Sequence, residues 1–120
     1  MTLLKSNFYT VKAKVKEEDL LRATIHIHPE HTIFEGHFPG QPVVPGVCML
    51  QLIKEIAEEA MGRTLFLSSA NQIKYLNVLR PQANQDISVE IKWQEGLKFN
   101  AAIGTSEHVV MKMSGSFEQL

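Results

Sequence analysis

The sequence predicts an α+β domain in which a long antiparallel sheet wraps around one central helix at about residues 46–61. Three observations carry this. One stretch has the apolar density and length of a helix: Val47, Met49, Leu50, Leu52, Ile53, Ile56, Ala57, Ala60 and Met61. Its first two turns are apolar on almost every side, as in a helix enclosed on most of its surface. Ahead of it, two segments alternate apolar and polar residues, the period of a half-buried strand. Behind it the chain is strand-like throughout, with turn residues at the spacing of an antiparallel meander. A sheet curved so that the helix fills its concave face satisfies all three.

The elements read as follows. In NFYTVKAKV, from Asn7, the residues Val11, Ala13 and Val15 point one way and Lys12, Lys14 and Lys16 the other, a strand with a lysine-coated outer face. Lys16 to Asp19 is a charged turn. Leu20 to His28 alternates again, with Leu21, Ala23, Ile25 and Ile27 inward and Arg22, Thr24, His26 and His28 outward. His26 and His28 have the i, i+2 spacing of two metal ligands, but no third accompanies them, so an exposed sheet face is the reading. Pro29 and Glu30 end the strand. Gly62 has the place of a helix C-cap. On the helix, Lys54 and Glu58 make an i, i+4 pair, and Glu55 and Glu59 share that solvated side as surface charges. Leu65 to Leu79 is one long stretch in which SSANQ predicts a bend or bulge. A loop around Pro81 follows. Asp86 to Gln94 then alternates with Ile87, Val89, Ile91 and Trp93 on one face; Glu95 and Gly96 turn, and Leu97 to Ile103 returns. Gly104 to Glu107 turns once more, and His108 to Phe117 closes the series. One such unit leaves sheet edges open, and pairing two units edge to edge closes them.

The 120 residues suit a single domain, 1–120, able to bury about two thirds of its unfolded surface. Hydrophobic residues make up 44% of the chain, the share of a packed domain rather than a disordered one. A net charge of −1 argues against nucleic-acid or membrane-surface binding driven by bulk charge. The single cysteine, Cys48, lies inside the apolar helix and reads as a small buried thiol. MTLLKSNFYT lacks the apolar core of a signal peptide, and no apolar run approaches the roughly 20 residues of a membrane span. A cytoplasmic, reducing setting is expected.

The chemistry gathers just ahead of the helix. Gly36, Pro39, Gly40, Pro42, Pro45 and Gly46 crowd around His37. The first N–H groups of a helix have no partner inside it and lie at the positive end of its dipole. Gly46 has no side chain to shield its N–H from a carbonyl oxygen. A histidine beside such an end supplies a base near neutral pH, and the amide supplies a donor for a developing oxyanion. The plain alternative is that the prolines and glycines only turn a corner. Gln51, one turn into the helix among Leu50, Leu52 and Ile53, is a polar amide that needs partners from a neighbour or a substrate.

Gly36-His37-Phe38-Pro39-Gly40, then Pro42, then Pro45-Gly46-Val47, resembles the signature of the hot-dog-fold 3-hydroxyacyl-[acyl-carrier-protein] dehydratases of the FabZ and FabA type. Phe34, Lys74-Tyr75 and Pro81 agree more loosely, and the resemblance covers about Ile25 to the C-terminus. It implies a homodimer with active sites at the interface, an acyl chain held as a thioester on acyl carrier protein or coenzyme A, and no metal or organic cofactor. By the resemblance His37 removes the C2 proton, the Gly46 N–H polarises the thioester carbonyl, and Phe38, Pro45 and Val47 line the substrate. The family's helix-borne acid, which assists departure of the 3-hydroxyl, falls at Gln51. Four readings of that departure stand open. Gln51 positions the hydroxyl or a water while His37 moves the proton both ways. Another acid, Glu55 or Glu35, stands in. The reaction has become thioester hydrolysis, as in hot-dog thioesterases. Or the chain is a non-catalytic binder or one half of a mixed dimer.

Overall fold

The computed structural model describes residues 3–4, 7–36 and 40–120. Its elements are β1 (Tyr9–Glu17), β2 (Leu20–Ile27), a one-turn helix α1 (Ile33–Gly36), α2 (Gly46–Met61), β3 (Leu65–Tyr75), β4 (Ile87–Trp93), β5 (Lys98–Gly104) and β6 (Val109–Gln119). The strands form one antiparallel sheet in the order β1-β2-β4-β5-β6-β3. The expected meander is β4-β5-β6. β3 follows the helix, crosses to the far edge and pairs with β6.

Alternation decides which side of the sheet is covered. Leu21, Ala23, Ile25 and Ile27 of β2, Ile87, Val89 and Ile91 of β4, and Phe99, Ala101 and Ile103 of β5 are all buried. Cross-strand partners such as Ala23 and Val89, or Ile91 and Ala101, share one face. Against that face α2 buries Cys48, Met49, Leu52, Ile53, Ile56 and Ala57. Each fully buried aliphatic side chain contributes about 1.5–3 kcal/mol, so this contact dominates the fold. At one end of the core Phe99 stacks on Phe117 with ring centroids 4.6 Å apart, and Trp93 leans on both. The helix stops at Gly62, whose φ of 65° suits glycine, and whose N–H donates to the Glu58 carbonyl at 2.8 Å. Lys54 and Glu58 form the expected i, i+4 pair at 3.2 Å, and Glu58 also accepts the Leu65 N–H at 2.8 Å, which starts β3. The bend foreseen in SSANQ appears as two register shifts, between Leu67 and Ser69 and between Asn71 and Lys74, with Gln72 at φ 51°.

Three expectations are corrected. Only the first residues of β1 contribute apolar side chains to the core: Tyr9 is buried and Val11 partly so, whereas Val15 is 51% exposed. A bulge between Val11 and Ala13 reverses the alternation. Val11 opposes the buried Ile25, but Ala13 opposes Thr24 and Val15 opposes Arg22 on the outer face. Lys14 instead faces the helix and pairs with Glu59 at 3.3 Å. Second, the chain does not pass straight from β2 into the glycine- and proline-rich stretch but first forms α1. α1 buries Phe34 against Phe8, ring centroids 5.7 Å apart. Third, the long stretch expected to run to Leu79 ends as a strand at Tyr75. The outward β2 histidines find local partners: His28 Nε2 lies 2.8 Å from Thr10 Oγ1, and His26 Nδ1 lies 3.3 Å from the Gln85 carbonyl.

Two measurements check this packing. Ile25→Ala, at a site with 0% exposure, should cost about 2–5 kcal/mol in chemical denaturation, whereas Val15→Lys should change stability by less than about 0.5 kcal/mol. Burial raises the Cys48 thiol pKa above its ordinary 9.0, and burial, then the Glu55 carboxylate, raises that of the Tyr9 phenol above its ordinary 10.0. Both groups are therefore harder to ionise folded than unfolded, and their contribution is complete below the unfolded values. Unfolding free energy should accordingly fall as pH rises beyond about 9, with a smaller fall in Cys48→Ala.

Candidate active site

The structure builds a bare helix start. Pro45, at φ −64° and ψ 147°, is the N-cap of α2 and offers no side-chain cap. Its carbonyl accepts the N–H groups of Cys48 at 3.0 Å and Met49 at 3.3 Å. The amides of Gly46 and Val47 precede the first intrahelical bond and lie at the positive end of the dipole. The loop feeding this end is held where Val44, itself buried, donates its N–H to the Leu79 carbonyl at 2.9 Å. That bond joins the motif loop to the segment after β3. It also explains why Leu79 is buried although the strand has ended.

Tyr75 lies across the same end. A Cβ placed on Gly46 would come within 2.7 Å of the Tyr75 ring at Cζ and at its hydroxyl oxygen. A side chain at position 46 would therefore oblige the Tyr75 ring to move. The ring is half exposed, and burial raises the phenol pKa. The sequence offered Tyr75 only as a flank of the motif; nothing in strand periodicity places it over a helix 29 positions earlier.

Gln51 lies one turn further along α2, half-buried, and donates from Nε2 to Glu55 Oε2 at 2.9 Å. Glu55 was expected to be a surface charge and is not: it is 7% exposed. Its carboxylate also accepts the N–H of Leu3 at 2.5 Å, the N–H of Leu4 at 2.9 Å and the Tyr9 hydroxyl at 3.3 Å. Those donors come from the far N-terminal segment, so helical position alone gave no sign of them. Glu35, the other acid weighed as a stand-in, is exposed on α1.

One stripe of α2 is not covered by the sheet. Val47 is 68% exposed, and Leu50, Gln51 and Lys54 are half-buried along the same side. The expectation of a nearly enclosed helix is corrected to this extent: one chain covers the sheet-facing side and leaves the rest open. At the end of β3 and just beyond it, Tyr75, Leu76 and Val78 are each at least half exposed. Of the site residues read from the sequence, Pro45, Gly46, Val47 and Gln51 thus share one end and one side of α2. His37 and Phe38 lie outside the described residues. Among the described residues no group of three or more His, Cys, Asp or Glu is placed to hold a metal ion, and no helix is long and apolar enough to cross a membrane.

The Gly46–Tyr75 contact can be tested by a double-mutant cycle. Gly46→Ala should lower the melting temperature, and Tyr75→Ala should remove most of that loss, giving a coupling of about 0.5–3 kcal/mol.

Comparison with known proteins agrees with this architecture. A family model described as ApeI-like, ApeI dehydratase, matches residues 13–115. The 3-hydroxyacyl-[acyl-carrier-protein] dehydratase FabZ of Levilactobacillus brevis is 30% identical over 95 residues, 70% of this chain and 64% of that protein. The same enzyme of Latilactobacillus sakei is 34% identical over 79 residues, 60% of this chain and 54% of that protein. The chain thus spans about half to under two thirds of the length of these relatives. Among solved structures, the dehydratase heterocomplex ApeI:P from Xenorhabdus doucetiae superposes with a TM-score of 0.78 at 18% identity, covering 90% of this chain and 96% of that one. A hypothetical thioesterase of Streptococcus pneumoniae, solved with coenzyme A, superposes with a TM-score of 0.64 at 14% identity, covering 97% and 90%. These two likenesses establish the fold, a hot-dog; the matched family model establishes the lineage, and the chain belongs to the ApeI-like family of hot-dog dehydratases.

Proposed function

We propose that the chain acts on an acyl thioester at the amino end of α2, eliminating water from a (3R)-3-hydroxyacyl group to give the trans-2-enoyl thioester in fatty-acid or related lipid biosynthesis. The observation that carries this is the uncapped helix start at Pro45-Gly46, set in a family of dehydratases. An amide at the positive end of a helix dipole suits a thioester oxygen that gains negative charge as C2 is deprotonated. His37 takes the C2 proton; the carbon left behind forms the double bond to C3 as the C3–O bond breaks. The departing oxygen needs a proton, and Gln51 cannot give one. His37, having just become imidazolium, returns that proton and water leaves. Gln51 holds the hydroxyl by hydrogen bonding. No metal or organic cofactor enters this scheme.

The carrier is acyl carrier protein or coenzyme A, and the working unit is a pair of hot-dog chains. Val47 on α2 and Tyr75, Leu76 and Val78 at and after the end of β3 are exposed apolar residues, and β3 is an edge strand, which together favour a second chain. That second chain is another copy or, as the heterocomplex of the Xenorhabdus relative suggests, a different hot-dog protein. A second reading, thioester hydrolysis, is favoured by the amide at position 51, which suits orienting a water, and by thioesterases among the structural neighbours.

One assay separates these. With a 3-hydroxyacyl thioester, dehydration raises enoyl absorbance without free thiol, whereas hydrolysis releases thiol. Absence of both at high protein concentration would sink the enzymatic reading. His37→Ala should lower kcat/KM by about 100-fold or more, and survival of activity would overturn the site.

A further inference from the structure

We infer that the outer face of the sheet, on the side away from α2, holds a binding site for a small organic phosphate, gripped by Lys74, Lys92 and Lys112. A hollow of about 350 Å³ lies there across β4, β5, β6 and β3. Lys112 stands between the buried Met111 and Met113, so its side chain points to the face opposite the core. Two features of the chain shape the hollow. Ala102 on β5 and Ser114 on β6 are small, which leaves the middle of the face low. At the register shift between Asn71 and Lys74, Gln72 takes φ 51° and joins the wall. A residue other than glycine rarely adopts such a backbone, and positions of this kind gather where a fold clamps a ligand. The volume is that of a small-molecule site.

Charge decides what the hollow takes. Lys74 and Lys112 are register partners on β3 and β6. Side chains so opposed have Cβ atoms about 4.5–5.5 Å apart, and like charges there repel. Lys92 lines the same hollow from β4. Among the described residues none of these three lysines has an ion-pair partner. The acid on the wall, Glu90, is held by Arg22 Nε at 2.9 Å. Elsewhere on the sheet Lys12 is matched by Asp86 and Lys14 by Glu59. The uncompensated charge therefore coincides with the hollow, and an anion seated between the opposed lysines turns their repulsion into attraction. A phosphate ester brings close to two negative charges and three acceptor oxygens. Leu20 and Ala102 give its organic part an apolar seat. A hollow of this size favours such a molecule over an acidic protein surface, which needs a broad face.

The test uses the full chain at a fixed ionic strength of about 0.15 M, with phenyl phosphate, inorganic phosphate and tetraglutamate as probes. Phenyl phosphate should raise the melting temperature saturably, with a Kd below about 1 mM. It should bind about threefold or more tighter than inorganic phosphate, because its ring also leaves water. Lys112→Gln should weaken phenyl phosphate binding about tenfold. Lys98→Gln, on β5 but outside the hollow, should leave it unchanged. Without ligand, Lys112→Gln should be at least as stable as the unmodified chain, since it removes one of two opposed charges. A rise that does not saturate, equal affinity for the two phosphates, equal losses in the two variants, or a less stable ligand-free Lys112→Gln would each overturn the site. Tighter binding of tetraglutamate than of phenyl phosphate would overturn it too, and make the hollow a contact for an acidic protein. None of these readings depends on turnover of a thioester, so failure of the dehydration reading leaves them intact.

Discussion

The packing of one helix into one curved sheet governs the rest. The side of α2 carrying Cys48, Met49, Leu52, Ile53, Ile56 and Ala57 is buried, and this apolar contact fixes where the helix axis points. Because the axis is fixed, so is the place where its positive end emerges. That end is left without a side-chain cap, and the loop before it is tied to the segment after β3 by the Val44–Leu79 bond. The helix is therefore divided: its flank is given to the core, and its amino end is left without a side-chain cap.

The polar residues of α2 follow the same division. Lys54 and Glu58 face outward, and Glu58 also receives the first amide of β3. Glu55 is turned inward and is tolerated there because four donors surround it. Gln51 stands between the two environments. One of its partners is the Glu55 carboxylate, and the residue is half-buried like Leu50 beside it in sequence.

Much of this was legible in the sequence. The bounds of α2 and its Gly62 cap followed from apolar density and one glycine, and β2, β4 and β5 followed from alternation, because a period of two admits one inward face. The first strand was misread for a physical reason. A bulge at Lys12 adds a residue without any glycine or proline to announce it, and every side chain after it changes face. Glu55 was misread because a glutamate on the late part of a helix is ordinarily solvated, and its partners are backbone groups more than 50 positions away. α1 escaped notice because one helical turn has no periodicity to detect. At the site, the motif named Pro45, Gly46, Val47 and Gln51. The ring that closes over Gly46 needed the three-dimensional path of β3.

That path carries a cost in the order of assembly. β3 leaves the helix and lies beside β6, so its single neighbour in the sheet comes after every other element. As the chain emerges during synthesis, residues 65–75 precede that neighbour by more than 30 positions. Pairings of such separation slow folding, and until they form both backbone edges of the segment are bare. The tyrosine that shapes the helix start therefore arrives with the closing strand, and the interval before it is when this chain most invites association with a neighbour.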